Sequence, residues 1–173
     1  MGLFDLFKAK KQEPAPAAAP PPAPKAPKNE NEKSFRVTGI QYRTENLMKL
    51  AVKNDDYSLG KKAIIDAGLT GQDIYQYNFP VSQVELVPEP DNEYDPNAVK
   101  VVVDGVHIGY IKKGNCSQVK NLLAGGKIDH LGIRIGGGKC KTVLDYGDED
   151  GHDYELETED KEYTAKVTVY LNA

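Results

Sequence analysis

Six side chains in this sequence combine types and positions suited to recognition chemistry: Tyr42, Tyr94, Asp95, Tyr110, Lys112 and Lys113. Aromatic rings beside lysines are what a single-stranded nucleic acid needs. Bases stack on the rings for ~1–3 kcal/mol each, and ammonium groups neutralise phosphates. A carboxylate in such a site repels the backbone, so Asp95 requires a reason. A strand terminus supplies one, because a terminal hydroxyl can donate a hydrogen bond to a carboxylate and an internal phosphodiester has no donor. A plainer reading fits the same residues equally well at this level: tyrosines packed on a barrel rim, and Asp95 closing an Asx turn onto Asn97.

The elements that must position these groups are legible to different degrees. Tyr94 and Asp95 lie in the loop Pro88–Asn97, between Pro90 and Pro96, and each proline fixes its own φ and drives the preceding residue out of the α region. The runs Val99–Val103 and Val106–Ile111 flank Asp104-Gly105, which predicts a β-hairpin with a type I′ turn. Val81–Val87 reads as the strand that feeds the loop. Upstream, Phe35–Tyr42 predicts a first strand kinked or bulged at Gly39. A mainly helical insertion follows, with a short helix from Thr44 to Ala51, a second from Leu59 to Ala67 capped by Ser58, and a third turn over Gly71–Tyr77.

Beyond Lys113 the pattern predicts a helix capped by Asn115 or Ser117, running through Leu123 and ending at Gly125-Gly126. Three further strands are expected at Ile128–Ile135, Lys139–Tyr146 and Tyr163–Leu171. Gly136-Gly137-Gly138 is read as a turn between the first two, and the acidic stretch Gly147–Glu162 as an exposed loop or protruding hairpin. Short strands with few helices make the fold mainly β (α+β), a small antiparallel barrel closed or nearly closed to remove exposed edges.

The chain has 173 residues with 39% hydrophobic content, enough for one globular domain and a tail. The expected divisions are a short amphipathic peptide at 1–11, a Pro/Ala-rich disordered linker at 12–33, and a β domain at 34–173. Leu3, Phe4, Leu6 and Phe7 beside a Lys cluster suit weak peripheral contact with an anionic membrane, or docking to a partner. No apolar run reaches the ~18 residues of a membrane span. The net charge of −4 conceals a strong asymmetry, since ten acids fall between Asp145 and Glu162 and a basic face elsewhere is compatible with the remainder. Cys116 and Cys140 form no CxxC and no secretory signal precedes them, so free thiols in a reducing, cytoplasmic setting are expected.

No catalytic constellation is present. His107, His130 and His152 share no ligand spacing with either cysteine, and His107 reads as a strand-face residue. The glycine triplet lacks the residues of a phosphate loop, and the acidic run does not match a calcium loop. The chain is expected to act without catalysis, metal or cofactor.

The segment VELVPEPDNEYDPNAVKVVVDGVHIGYIKK, with Gly39-Ile-Gln-Tyr42 upstream, resembles the HIRAN domain, a module found at the N-terminus of some helicase-like repair ATPases and free-standing in bacteria and phages. The resemblance covers about Phe35–Leu123 and extends to the later strands. It implies an OB-like barrel that binds single-stranded DNA at a 3′-hydroxyl end. Carried over, Tyr42 and Tyr94 hold the terminal nucleotide, Asp95 accepts from the 3′-hydroxyl, Asn92 adds a polar contact and Lys113 meets a phosphate. Gln41 stands where a basic residue is expected before the tyrosine, and Tyr110 where a histidine can occur. DNA repair or replication is the implied setting, with any helicase or nuclease on a separate chain. The alternative is an interaction adaptor tethered through residues 1–11, its acidic loop engaging a basic surface.

Overall fold

The computed structural model describes residues 31–148 and 151–172. The N-terminal peptide and nearly all of the Pro/Ala-rich linker lie outside them. The first strand, β1 (Glu32–Thr38), starts within the expected linker and ends before Gly39. Gly39 turns the chain with φ 79°, and Ile40–Arg43 form a 3-10 turn. Tyr42 therefore sits on a turn and not on the strand. The phase shift from Phe35 and Val37 to Ile40 is the mark of that turn, since all three side chains stay buried.

The insertion is more mixed than its helical pattern suggests. It contains α1 (Thr44–Met48), β2 (Val52–Lys53), α2 (Lys61–Asp66), β3 (Ile74–Tyr75) and β4 (Tyr77–Asn78). Ser58 does not cap α2; it closes a 3-10 turn capped by Asn54, whose side chain accepts from the Asp56 amide. The expected third turn at Gly71–Tyr77 is instead two short strands, β3 on β8 and β4 on β2. They are held because Asp73 accepts from Lys161 (2.6 Å), Thr142 (2.8 Å) and Tyr75 (3.2 Å).

Next come β5 (Val84–Pro88), β6 (Val99–Val103), β7 (Val106–Ile111) and α3 (Cys116–Ala124), followed by two 18-residue strands, β8 (Ile128–Asp145) and β9 (Tyr154–Leu171). The β6–β7 hairpin matches its sequence pattern. Asp104 and Gly105 take φ 46° and 78°, as a type I′ turn requires. The Asp104 carboxylate also accepts from the Ser82 and Gln83 amides, fixing the approach to β5.

The glycine triplet is not a turn. Gly137 and Gly138, at φ 116° and 81°, form a bulge that lets β8 continue as one strand beside β9. Tyr154–Lys161 of the acidic stretch accordingly form the outer half of a long hairpin, paired residue by residue with Gly138–Asp145.

The strands run β3-β8-β9-β1-β7-β6-β5 in one antiparallel sheet, with β2 and β4 as a separate pair. The barrel is not closed: β5 comes near β8 without pairing, and β3 and β5 remain the sheet's two edges. The main core unites Phe35, Val37, Val99, Val101, Val103 and Val167 with Leu47 and Val119 from the helices. At ~1.5–3 kcal/mol per fully buried side chain, this cluster is what holds the curled sheet shut without a closing pair. A second cluster of Ile64, Ile74 and Val143 packs the insertion against the outer hairpin. Both cysteines are free and buried, and no helix among the described residues is long and apolar enough to cross a membrane.

Candidate nucleic-acid interface

The Pro88–Asn97 loop is built around one side chain. The Asn92 carboxamide oxygen accepts from the amides of Tyr94 and Asp95, each at 3.0 Å, while its nitrogen donates to Glu89 Oε2 (3.1 Å). The loop ends are tied by the Glu89 amide to the Ala98 carbonyl (2.9 Å) and the Ala98 amide to the Asp95 carbonyl (2.8 Å). Asn92 thus positions the loop and also lines the groove beside it.

Asp95 answers to both readings of its role. Its Oδ1 accepts from the Asn97 amide (2.9 Å), closing an Asx turn. Its Oδ2 faces the ammonium of Lys113 at 3.7 Å, with the side chain 18% exposed. One oxygen shapes the loop and the other is paired with Lys113, and the residue lines the groove beside the loop. The tyrosines settle more simply. Tyr42 is 83% exposed and Tyr94 92%, so neither packs on a rim, and both rings are available as stacking platforms.

Loop and hairpin enclose a groove of about 830 Å³ lined by Asn92, Tyr94, Asp95, Tyr110 and Lys113. Tyr42 flanks it, joined through Arg43, which lines both the groove and the adjoining hollow under Tyr42. Tyr110 forms the floor. The Arg43 guanidinium lies 4.9 Å from its ring centroid and the His107 ring meets it edge-on at 4.8 Å. His107 takes the strand-face role expected of it, its ring nitrogen Nε2 bonded to the Gly109 carbonyl (3.0 Å). Burial pushes its pKa down, which leaves the imidazole neutral near pH 7.

Lys112 is not in this groove. Its amide donates to the Arg36 carbonyl, which continues the pairing of β7 with β1, and the residue lines two other hollows, while Lys113 begins a 3-10 turn and lines this groove. Arg43, in turn, was not expected. The cation beside Tyr42 follows it in the sequence instead of preceding it at Gln41, and the 3-10 turn swings it back over Tyr110. Its adjacency to Tyr42 was the available clue.

At the groove's other wall Glu89 pairs with Lys100. The Lys100 ammonium, helped by Asn92 and Tyr110, holds the Glu89 carboxyl down at about 2. A depressed folded-state pKa contributes stability that is complete above the unfolded value and is lost as pH falls through the folded one. Stability should therefore decline between pH 4.5 and about 2. Acid titration followed by circular dichroism should show a shallower decline in Glu89→Gln.

Four carboxylates, on Glu89, Asp91, Glu93 and Asp95, face three cations, on Arg43, Lys100 and Lys113. That balance is poor for a run of phosphates and suits a site that presents a single acceptor among rings. Among the described residues no group of three or more His, Cys, Asp or Glu is placed to hold a metal ion.

No curated protein and no solved structure matches the chain. The HIRAN domain family model matches residues 68–145, a span that holds Asn92, Tyr94, Asp95, Tyr110 and Lys113 and leaves Tyr42 and Arg43 upstream. The loop, the hairpin and the groove between them all lie inside that span, so the part of the chain that builds the site is similar to the HIRAN domain family.

Proposed function

We propose that this chain binds single-stranded DNA by a free 3′-hydroxyl end, without catalysing a reaction on it. HIRAN domains are single-stranded DNA-binding modules, which supports nucleic-acid binding in general. The observation that carries the finer reading is Asp95: it lines a groove flanked by two almost fully exposed tyrosines, with its Oδ2 beside Lys113, a cation at hand for one phosphate. A terminal hydroxyl satisfies that oxygen, whereas a terminal phosphate meets it with like charge. DNA repair or replication is the setting this reading favours, with the motor or nuclease on another chain.

Fluorescence anisotropy with oligonucleotides bearing a free or a phosphorylated 3′ end tests it. The free end should bind about tenfold or more tightly, the worth of one hydrogen bond to a charged acceptor. Equal affinity for both ends would remove the end-binding reading. In the same assay Tyr94→Ala should weaken binding about tenfold, the cost of one stacked base, and leave the thermal midpoint unmoved because its ring packs against so little.

A further inference from the structure

The outward face of the sheet carries a row of cations whose cost the fold itself does not offset. Arg36 on β1 is the direct cross-strand partner of Lys166 on β9, and Lys166 is that of Arg134 on β8, so the three share one face. Lys112 extends the row, its amide on the Arg36 carbonyl (3.0 Å). Adjacent strands lie about 4.8 Å apart, and like charges directly opposite one another destabilise a sheet. All four side chains are exposed, and among the described residues none has an ion-pair or side-chain hydrogen-bond partner. Such an arrangement is stable in isolation only at a cost, and an anion laid along it removes that cost.

The row floors a groove of about 1010 Å³. One wall comes from the insertion: Tyr75 on β3, Tyr77 on β4 and Phe79 just after it, all half-buried. Phe79 is held edge-on against Tyr163 at 5.9 Å. No carboxylate lines this groove, the reverse of the mixed charge around Asp95. Lys112 and Lys113 are consecutive and line different grooves, and a cleft of about 590 Å³ between them shares Thr38 with the first and Arg36 and Lys112 with the second, with Asp160 and Glu162 on its rim.

We propose that this second groove takes the sugar–phosphate backbone of a single-stranded nucleic acid, with Tyr75, Tyr77 and Phe79 presenting rings to its bases. The strand reaches it from the end held against Asp95; the inference rests on the end-binding reading for that direction alone. An acidic peptide would use the cations but has no use for three rings, which is why a nucleic acid is the better occupant.

The test uses the full chain and deoxythymidine oligonucleotides of about four and about twelve nucleotides, both with free 3′-hydroxyls, in fluorescence anisotropy at several salt concentrations. The wild type should bind the longer strand at least tenfold more tightly. The Arg134→Gln/Lys166→Gln variant should lose that gain, its slope of log affinity against log salt should shrink by about 1.4, and its hold on the short strand should be unchanged. Arg36→Gln/Arg134→Gln should repeat the result, and because both variants relieve repulsion, thermal melting should show midpoints at or above the wild type. A length gain that survives both variants overturns the proposal. So does a polyglutamate peptide whose binding needs Arg134 and Lys166 when long-strand binding does not. Long-strand binding that needs these residues but ignores the 3′ end upholds this groove and sinks the end-binding reading instead.

Discussion

Asp95→Ala should lower affinity for an oligonucleotide with a free 3′-hydroxyl by about tenfold to a hundredfold, and raise affinity for its 3′-phosphorylated counterpart. The first effect is the loss of a hydrogen bond to a charged acceptor, ~1.5–3 kcal/mol. The second is the removal of a like charge from the place where the terminal phosphate must sit. Opposite signs for two ligands that differ only at one end are hard to produce by general damage to the loop. Such damage is a real concern, because Asp95 Oδ1 also accepts from the Asn97 amide. Asp95→Asn separates the contributions: its side-chain oxygen can keep the Asx turn while the charge is gone. It should fall between wild type and alanine for the hydroxyl end and approach alanine for the phosphate end. Anisotropy titrations of the three proteins against the two oligonucleotides decide the matter. A uniform loss for both ends in Asp95→Ala, with Asp95→Asn indistinguishable from wild type, would leave Asp95 as a loop-former only.

What the sequence made legible is what local chemistry decides. The hairpin is written in Asp104-Gly105 and its β-branched flanks, and the stiff loop in Pro90, Pro96 and the Asn92–Asp95 spacing, so these elements stand where the pattern puts them. The failures share a different cause, in that a distant partner decides the outcome. Gly136–Gly138 looks like a turn until Glu162 and Tyr163 arrive beside it, after which the same glycines form a bulge in a continuous strand. The acidic residues of β9 show no apolar alternation because the outer half of the hairpin buries almost nothing of theirs, so a period of two has nothing to register. Between a closed and a nearly closed barrel the strand count could not choose, since it says nothing about whether β5 meets β8 closely enough to pair. At the site, Lys112 and Lys113 look interchangeable as a dipeptide, but the chain leaves β7 here and enters a 3-10 turn at Lys113, and the two line different grooves. The row of Arg36, Lys166 and Arg134 exists only through the register of three strands far apart in the chain.

Gly109→Ala should cost about 2–4 kcal/mol, lowering the thermal midpoint by roughly 10 °C. Gly109 has an ordinary extended conformation, so the reason is space and not backbone freedom. A Cβ there would lie 2.6 Å from the Thr38 carbonyl oxygen and 2.7 Å from Val37 Cγ1. One of these is backbone and the other a side chain buried in the core, so neither can swing away cheaply. The strain falls where β1 leaves β7 and Gly39 turns the chain toward Tyr42 and Arg43. Any relief that pushes Thr38 outward carries that turn with it, and with the turn the ring and the guanidinium that flank the first groove. The variant should therefore also lose affinity for the strand end, even at temperatures where it is fully folded. The second groove should keep more of its binding, because the Arg36–Lys166–Arg134 row is set by β1, β9 and β8. Thermal melting reads the first effect. Anisotropy with the short and long oligonucleotides, well below the midpoint, reads the second. An unchanged midpoint would mean that β1 and β7 yield at this crossing more easily than two contacts under 3 Å allow.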